Sequence, residues 1–259
     1  MTRFKGSRLK VERAKKHLAD FHNTFVAFSN SNFKSLGVEE HLEKRTHSLR
    51  IEMDMGAFNA LGDEATLIIG DVLHNLKSAL DHLYYQLVVA SKGKPSKHTR
   101  FPVRDTREEL EAYIVELLKK KKVLPEIGNL ILDAVKPYQA GNPAIWGLHE
   151  LNIVDKHERI IPTLRLVGFF DVSLEDENGK QVGVRNYLAE ESCLIPLTGT
   201  YGRKITLQDN GRTSANIIFD VSARAFQGET VFPALARAVE EVKRTIDAFE
   251  IVQFPGLTF

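Results

Sequence analysis

Apolar residues near the start of the chain recur at alternating steps of three and four, the spacing of a helix with one buried seam. They are Val11, Ala14, Leu18, Phe21, Phe25 and Phe28. This spacing predicts a first helix over residues 7–29. Leucines at 73, 76, 80 and 83 predict a second, longer helix over residues 65–90, with Asp63 as its N-cap.

Shorter helices follow the long one. Asp105 or Thr106 is a suitable N-cap for a helix that reaches residue 120, and a further helix fits residues 125–135. Asn142-Pro143 is a good helix start for residues 144–156. A closing helix is predicted from a last apolar seam. Its members are Leu235, Val239, Val242, Ile246 and Phe249.

Alternating and β-branched segments dominate the chain from residue 163 to residue 226. Asn178-Gly179 and Asn210-Gly211 lie between such segments, and Asn-Gly is the strongest short hairpin signal. An earlier alternation over residues 49–53 predicts one short strand that ends near Gly56. We therefore predict an α+β fold: a helical bundle over residues 1–162, then an antiparallel β meander with a closing helix over 163–259, packed as one unit.

The long predicted helix carries an unusual polar stripe opposite its leucines. At 100° per residue the stripe contains Asp71, His74, Asn75, Ser78, Asp81, His82 and Tyr85. A solvated helix face normally uses Lys, Glu, Arg and Gln, because Asp, Asn, Ser and His are poorer helix formers. The stripe therefore favours a binding or catalytic site, with a hydrogen-bonded network between two helices as the alternative. Lys77 lies beside the stripe, where its ammonium either reaches back toward it or faces water.

A second polar cluster occupies the helix predicted over residues 144–156. His149, Asn152 and Lys156 share one edge, and Asp155 and His157 follow at the helix end. Helical bundles build their sites between facing helices, so the two clusters either form the walls of one cleft or are unrelated surfaces.

A metal site is an alternative use of the same residues. Asp71, His74 and His82 together with His149 or His157 offer a mixed nitrogen and oxygen ligand set. The sequence contains no tight His-x-x-x-His pair among them, so we predict neither a metal nor another cofactor.

Charge and cysteine content narrow the partners. The 35 basic and 34 acidic residues nearly cancel, so binding to nucleic acid needs a local patch rather than a global field. The single cysteine, Cys193, fits a reducing compartment. Because no apolar run approaches 18 residues and no signal-peptide pattern is present, we expect a cytoplasmic chain without membrane contact.

Three segments carry a family resemblance: GDVLHNLKSALDHL from Gly70 to Leu83, Phe101-Pro102, and Asp155-Lys-His157. Through them the chain resembles a family of uncharacterised bacterial proteins from the first helix to about residue 159. In that family position 77 is usually arginine, and the Arg-to-His spacing is similar to the signature of HEPN domains. These are helical, commonly dimeric proteins, and many are metal-independent ribonucleases of toxin and antiphage systems.

The resemblance implies a HEPN-like bundle, a homodimer and RNA as the partner. It implies catalytic roles for His82, Lys77 and Asp81: His82 as general base or acid for attack of a 2′-hydroxyl on the adjacent phosphate, and Lys77 as the group that stabilises phosphate charge. Lysine lacks the planar bidentate grip of arginine, so a degenerate RNA-binding relative is a second form of this hypothesis. The alternatives are a non-catalytic protein that binds a small ligand or partner, and a metal-dependent hydrolase.

Overall fold

The computed structural model describes residues 3–31, 34–157, 163–182 and 184–252. It has the predicted mixed α+β fold, with long helices early in the chain, antiparallel strands and a closing helix. The helices are α1 (Lys5–Ser29), α2 (Met55–Ala90), α3 (Arg107–Lys119), α4 (Pro125–Asn129), α5 (Pro143–His157) and α6 (Val231–Ile251). The strands are β1 (Lys34–His41), β2 (Thr46–Met53), β3 (Thr163–Asp176), β4 (Val184–Ala189), β5 (Cys193–Leu197), β6 (Ile205–Asp209) and β7 (Arg212–Phe219).

Side-chain caps define the starts of α3 and α5 as the sequence predicts. Thr106 Oγ1 accepts a hydrogen bond from the Glu109 backbone N–H at 3.2 Å, and Asn142 Oδ1 accepts one from Ile145 at 3.1 Å. The helix predicted over residues 125–135 is present, but its second half, Leu130–Val135, is wound as a π-helix.

The start of α2 differs from the prediction by ten residues. Asp54 caps the helix: its carboxylate accepts the Ala57 N–H at 2.9 Å, and its carbonyl accepts the Phe58 N–H. Asp63 is an exposed residue inside the helix and does not begin it. Gly56 suggested the end of a strand, because glycine disfavours a helix. Burial of Phe58 in the first turns of α2 stabilises the helix by more than the glycine costs.

Two compact units, each discontinuous in sequence, make up the chain. The helical unit comprises residues 1–21, 66–162 and 221–259, and the strand unit comprises residues 22–65 and 163–220. The chain passes from the helical unit to the strand unit at residue 163 and returns at residue 221, so β1 and β2 belong with the strands and α6 belongs with the helices.

The core of the helical unit uses the predicted apolar seams. Val72 and the four leucines of the α2 seam, at positions 73, 76, 80 and 83, have no exposed surface, and every member of the α6 seam is buried. Burial of each such side chain contributes roughly 1.5–3 kcal/mol before conformational entropy is counted. The leucines fix the rotation of α2 about its axis, and this rotation decides which polar side chains reach solvent.

Two antiparallel sheets form the strand unit. The first has the order β1-β2-β5, so β5 leaves the predicted meander and pairs with a strand from the first quarter of the chain. The sequence reading missed β1. The core of this unit joins Leu49, Ile51 and Phe58 to Phe169 and Leu174 of β3.

In the second sheet β3 is central, with β4 on one side and both β6 and β7 on the other. The hairpin predicted at Asn178-Gly179 is present between β3 and β4. The hairpin predicted at Asn210-Gly211 is wrong, because β6 and β7 run one after the other along the same edge of β3. Gly211 provides a break in that edge: its φ is +64°, and a Cβ there would lie 2.2 Å from the Phe170 carbonyl oxygen.

Among the described residues, no helix combines the length and the apolar character that a membrane span needs.

The cap of α2 gives a matched pair of substitutions. Asp54→Ala removes the side chain that accepts the Ala57 N–H, and we expect the free energy of unfolding to fall by about 1 kcal/mol. Asp63→Ala replaces an exposed helix-interior residue with a better helix former, so it leaves stability unchanged or slightly raised. Urea unfolding of both variants measures the difference. A larger loss in Asp63→Ala would place the helix start where the sequence suggested it.

Candidate functional site

The structure divides the predicted stripe of α2 by exposure. Asp71, His74, His82 and Tyr85 are exposed, whereas Asn75 is buried and its amide donates to the Asp71 carbonyl at 2.8 Å. Ser78 and Asp81 are half-buried. The exposed members lie at the two ends, so the stripe is not one continuous surface.

A buried ion pair occupies the middle of this region. Lys77 is only 4% exposed, and its ammonium contacts the Asp81 carboxylate one turn later on α2. Burial lowers the pKa of Lys77, and the Asp81 carboxylate opposes that shift. Of the two alternatives that its position on the helix suggested, Lys77 therefore does not face water but reaches back to a member of the stripe, Asp81.

Asp81 also fixes the loop that follows α2. Its Oδ1 accepts the Phe101 backbone N–H at 2.9 Å, and its Oδ2 lies 3.6 Å from Arg100 Nε. Phe101 is itself buried, and its ring meets Tyr84 of α2 edge to face at 6.2 Å. The two contacts of Asp81 and the ring contact of Tyr84 attach residues 100 and 101 to the helix that carries His82.

The polar cluster of α5 is brought against α2. A methyl group at Gly70 would lie 2.8 Å from both carboxylate oxygens of Asp155, so a larger residue there would displace this carboxylate. Further along, His149 lies near Lys77 and Asp81. The two polar segments therefore face each other in packed contact rather than across an open cleft.

Buried polar atoms mark the interior part of this contact. Burial, with the Lys77 ammonium as the next cause, lowers the pKa of His149 to about 4. Within the described part of the chain, His149 Nδ1 and Asn152 Oδ1 are buried without a hydrogen-bond partner. His149 is therefore held neutral at pH 7 and is poorly suited to exchange protons with a substrate.

Mixed charges surround the N-terminal end of the stripe. Burial, then Lys156 and Lys10, lower the pKa of His74, while burial and the Asp71 carboxylate raise the pKa of Asp155. Lys10 of α1 also donates to Asn75 Oδ1 at 3.4 Å. The side chain of His157, which the sequence adds to this cluster, lies outside the described residues.

The C-terminal end of the stripe opens into a cleft of about 480 Å³ within the helical unit. Its walls are α2 and the loop that Asp81 fixes. The lining residues are Asp81, His82, Tyr85, Gln86, Ser96, Lys97, Thr99 and Arg100. The first turn of α1 passes beside the histidine, because a methyl group at Gly6 would lie 3.3 Å from His82 Nδ1. The cleft places an imidazole, a phenol, an ammonium and a guanidinium around one space.

Sequence reasoning missed the loop wall of this cleft. Lys97 and Arg100 follow a Gly-Lys-Pro break and suggested only the end of a helix. The available signal was the adjacent Phe101-Pro102, whose burial brings the preceding residues back to α2.

The geometry gives no support to the metal alternative. His74 and His82 are eight residues apart on one helix, about 12 Å along its axis, whereas metal–nitrogen bonds are about 2 Å. No group of three His, Cys, Asp or Glu side chains is placed to hold a metal ion among the residues that the structure describes.

Comparisons with known proteins add no relative: no family model matches the chain, and neither the curated proteins nor the solved structures contain a significant match.

The lowered pKa of His149 predicts a pH-dependent stability. Below the ordinary value of 6.5 the unfolded chain binds a proton that the folded protein does not bind until about pH 4. Stability contributed by neutral His149 is therefore present above pH 6.5 and is lost as the pH falls toward 4, by up to about 3 kcal/mol.

Chemical unfolding of the wild type and His149→Gln across this pH range measures the effect. We expect the wild type to lose stability relative to the variant as the pH falls. Parallel curves for the two proteins would contradict the assignment of a buried neutral His149.

Proposed function

We propose that the helical unit is HEPN-like and that the protein is a metal-independent endoribonuclease acting at His82. The observation that carries this proposal is the exposed position of His82 in a cleft lined by Tyr85, Lys97 and Arg100. An imidazole among cationic and aromatic groups suits a phosphodiester substrate, because the cations attract phosphate and the ring offers a surface for a base.

The proposed reaction uses His82 as a general base. His82 takes the proton of a ribose 2′-hydroxyl, the oxygen attacks the adjacent phosphorus, and the bond from phosphorus to the 5′-oxygen breaks. A protonated imidazole then returns a proton to the leaving 5′-oxygen. The products are a 2′,3′-cyclic phosphate and a 5′-hydroxyl, so no metal, oxidant or additional nucleophile enters the balance.

A homodimer belongs to this proposal. One copy of His82 takes a proton while the His82 of a second copy gives one, which supplies both roles from a single type of residue. Val89 supports an interface on α2 outside the cleft, because this apolar side chain is about half exposed.

Lys77 favours a second form of the function, binding of RNA without cleavage. The resemblance gives position 77 the task of stabilising phosphate charge, and Lys77 is instead buried against Asp81. Without the Lys77 ammonium, the cleft retains Tyr85, Lys97 and Arg100 to bind base and phosphate. It lacks one of the charges that would stabilise the transition state of cleavage.

We propose a cytoplasmic location and a role in toxin or antiphage defence, in line with the resemblance. The free thiol of Cys193 is compatible with a reducing compartment.

Replacement of His82 tests the catalytic proposal. We expect His82→Ala to cleave single-stranded RNA at least about 10²-fold more slowly, the usual contribution of one general acid or base. Gel analysis of end-labelled RNA in the presence of a chelator gives the rate, and circular dichroism confirms that the variant is folded.

His17→Ala is the matched control, since His17 lies on α1 and does not line the cleft. It should cleave at the wild-type rate. If chelation abolishes cleavage, the metal-independent mechanism is wrong. If the wild type binds RNA without cutting it, the binding form of the function replaces the catalytic one.

A further inference from the structure

We infer that Arg100, rather than Lys77, is the phosphate-binding residue of the His82 cleft, and that the cleft accepts single-stranded RNA. This inference rests on the proposed function and names the substrate class of the same site. It follows from the position of the loop over residues 96–101 and from the burial of Lys77.

Arg100 presents its charge to solvent while its backbone is held in place. Its side chain is 63% exposed, and it lines the cleft together with His82. The next residue, Phe101, is buried and donates its N–H to Asp81. Asp81 is one position before His82 in α2, so Arg100 and His82 are both fixed relative to one carboxylate.

The loop before Arg100 is ordered by its own hydrogen bonds. The Ser96 N–H donates to Thr99 Oγ1 at 2.8 Å, and the Thr99 N–H donates to the Ser96 carbonyl at 3.0 Å. Arg100 Nη1 donates to the Thr99 carbonyl at 3.2 Å. A guanidinium on an ordered loop loses less conformational entropy when it binds an anion.

Ion pairing explains why Arg100 and not Lys77 carries this role. The Asp81 carboxylate contacts both cations. The Lys77 side chain is buried in direct contact with it, whereas Arg100 Nε lies 3.6 Å from it and the Arg100 side chain is exposed. The Lys77 ammonium already neutralises Asp81, so Arg100 retains most of its attraction for a phosphate. Arginine also offers the planar donor pair that lysine lacks.

Tyr85 points to single strands. It lines the same cleft, and 49% of its surface is exposed. An exposed aromatic ring is a stacking surface for an unpaired base, whereas the bases of a duplex are already stacked on each other. An arginine for phosphate and a ring for the neighbouring base together match one nucleotide of a flexible strand.

The test measures binding apart from cleavage. A short fluorescein-labelled RNA carrying 2′-O-methyl groups cannot undergo the attack, so fluorescence anisotropy reports its affinity alone. We expect Arg100→Ala to weaken binding about ten-fold or more. The slope of log affinity against log salt should fall by about 0.7, the value for one lost phosphate contact on a single strand.

Two further variants separate a direct contact from a change in folding. Arg100→Lys keeps the charge and should recover part of the affinity and most of the salt slope. Arg107→Ala is the matched control, because Arg107 is also an exposed arginine paired with an aspartate, Asp133, but does not line the cleft. It should bind like the wild type.

The outcomes distinguish this inference from the proposed function. If His82→Ala stops cleavage while Arg100→Ala and Arg107→Ala bind alike, the ribonuclease stands and the role of Arg100 is wrong. If Arg100→Ala loses affinity but the wild type never cleaves RNA, Arg100 stands and the catalytic proposal falls. Tighter binding of duplex than of single-stranded RNA overturns the substrate class, and no binding of either overturns both proposals.

Discussion

The buried contact between Lys77 and Asp81 is the interaction on which the candidate site depends. Two opposite charges inside a folded unit gain strong attraction but lose hydration, so such a pair contributes little to stability compared with apolar residues of the same size. Its effect lies in what it positions. An Asp81 carboxylate fixed by Lys77 accepts the Phe101 N–H and so determines where the loop over residues 96–101 meets α2.

One consequence is that the polar stripe of α2 serves two different environments. Toward the N-terminal side it packs against α5, with Asp155 on Gly70 and His149 near the buried pair. This part lies between two helices, but among the described residues His149 Nδ1 and Asn152 Oδ1 have no hydrogen-bond partner in it. Toward the C-terminal side, beyond Asp81, His82 and Tyr85 face an open cleft. This second part combines exposure with groups that recognise a phosphodiester.

The sequence predicts most helices because their signals are local. The Thr106 cap, the Asn142-Pro143 start and the α6 seam each depend on residues within a few turns of one another. The start of α2 at Asp54 is harder to predict, since a glycine at position 56 resembles the end of a strand. The pairing of β5 with β2 is harder still, because about 140 residues separate partners such as Ile51 and Cys193.

For the site, the sequence supplies the helix and the stripe but not their burial. Lys77 and Asp81 at i and i+4 form the same pattern on a solvated helix and in a core, so spacing alone does not reveal which applies. Arg100 enters the cleft through a backbone hydrogen bond of its neighbour, and no motif in the sequence records such a bond.

The most direct measurement is the RNA cleavage rate of Lys77→Arg per folded molecule, with the free energy of unfolding measured beside it. Arginine is the residue that the HEPN resemblance expects at this position. If Lys77 is a buried partner of Asp81, as the structure has it, the larger guanidinium lowers stability by about 1–3 kcal/mol through overpacking and does not raise the cleavage rate. A cleavage rate raised ten-fold or more would contradict this account, because it would place position 77 at the phosphate.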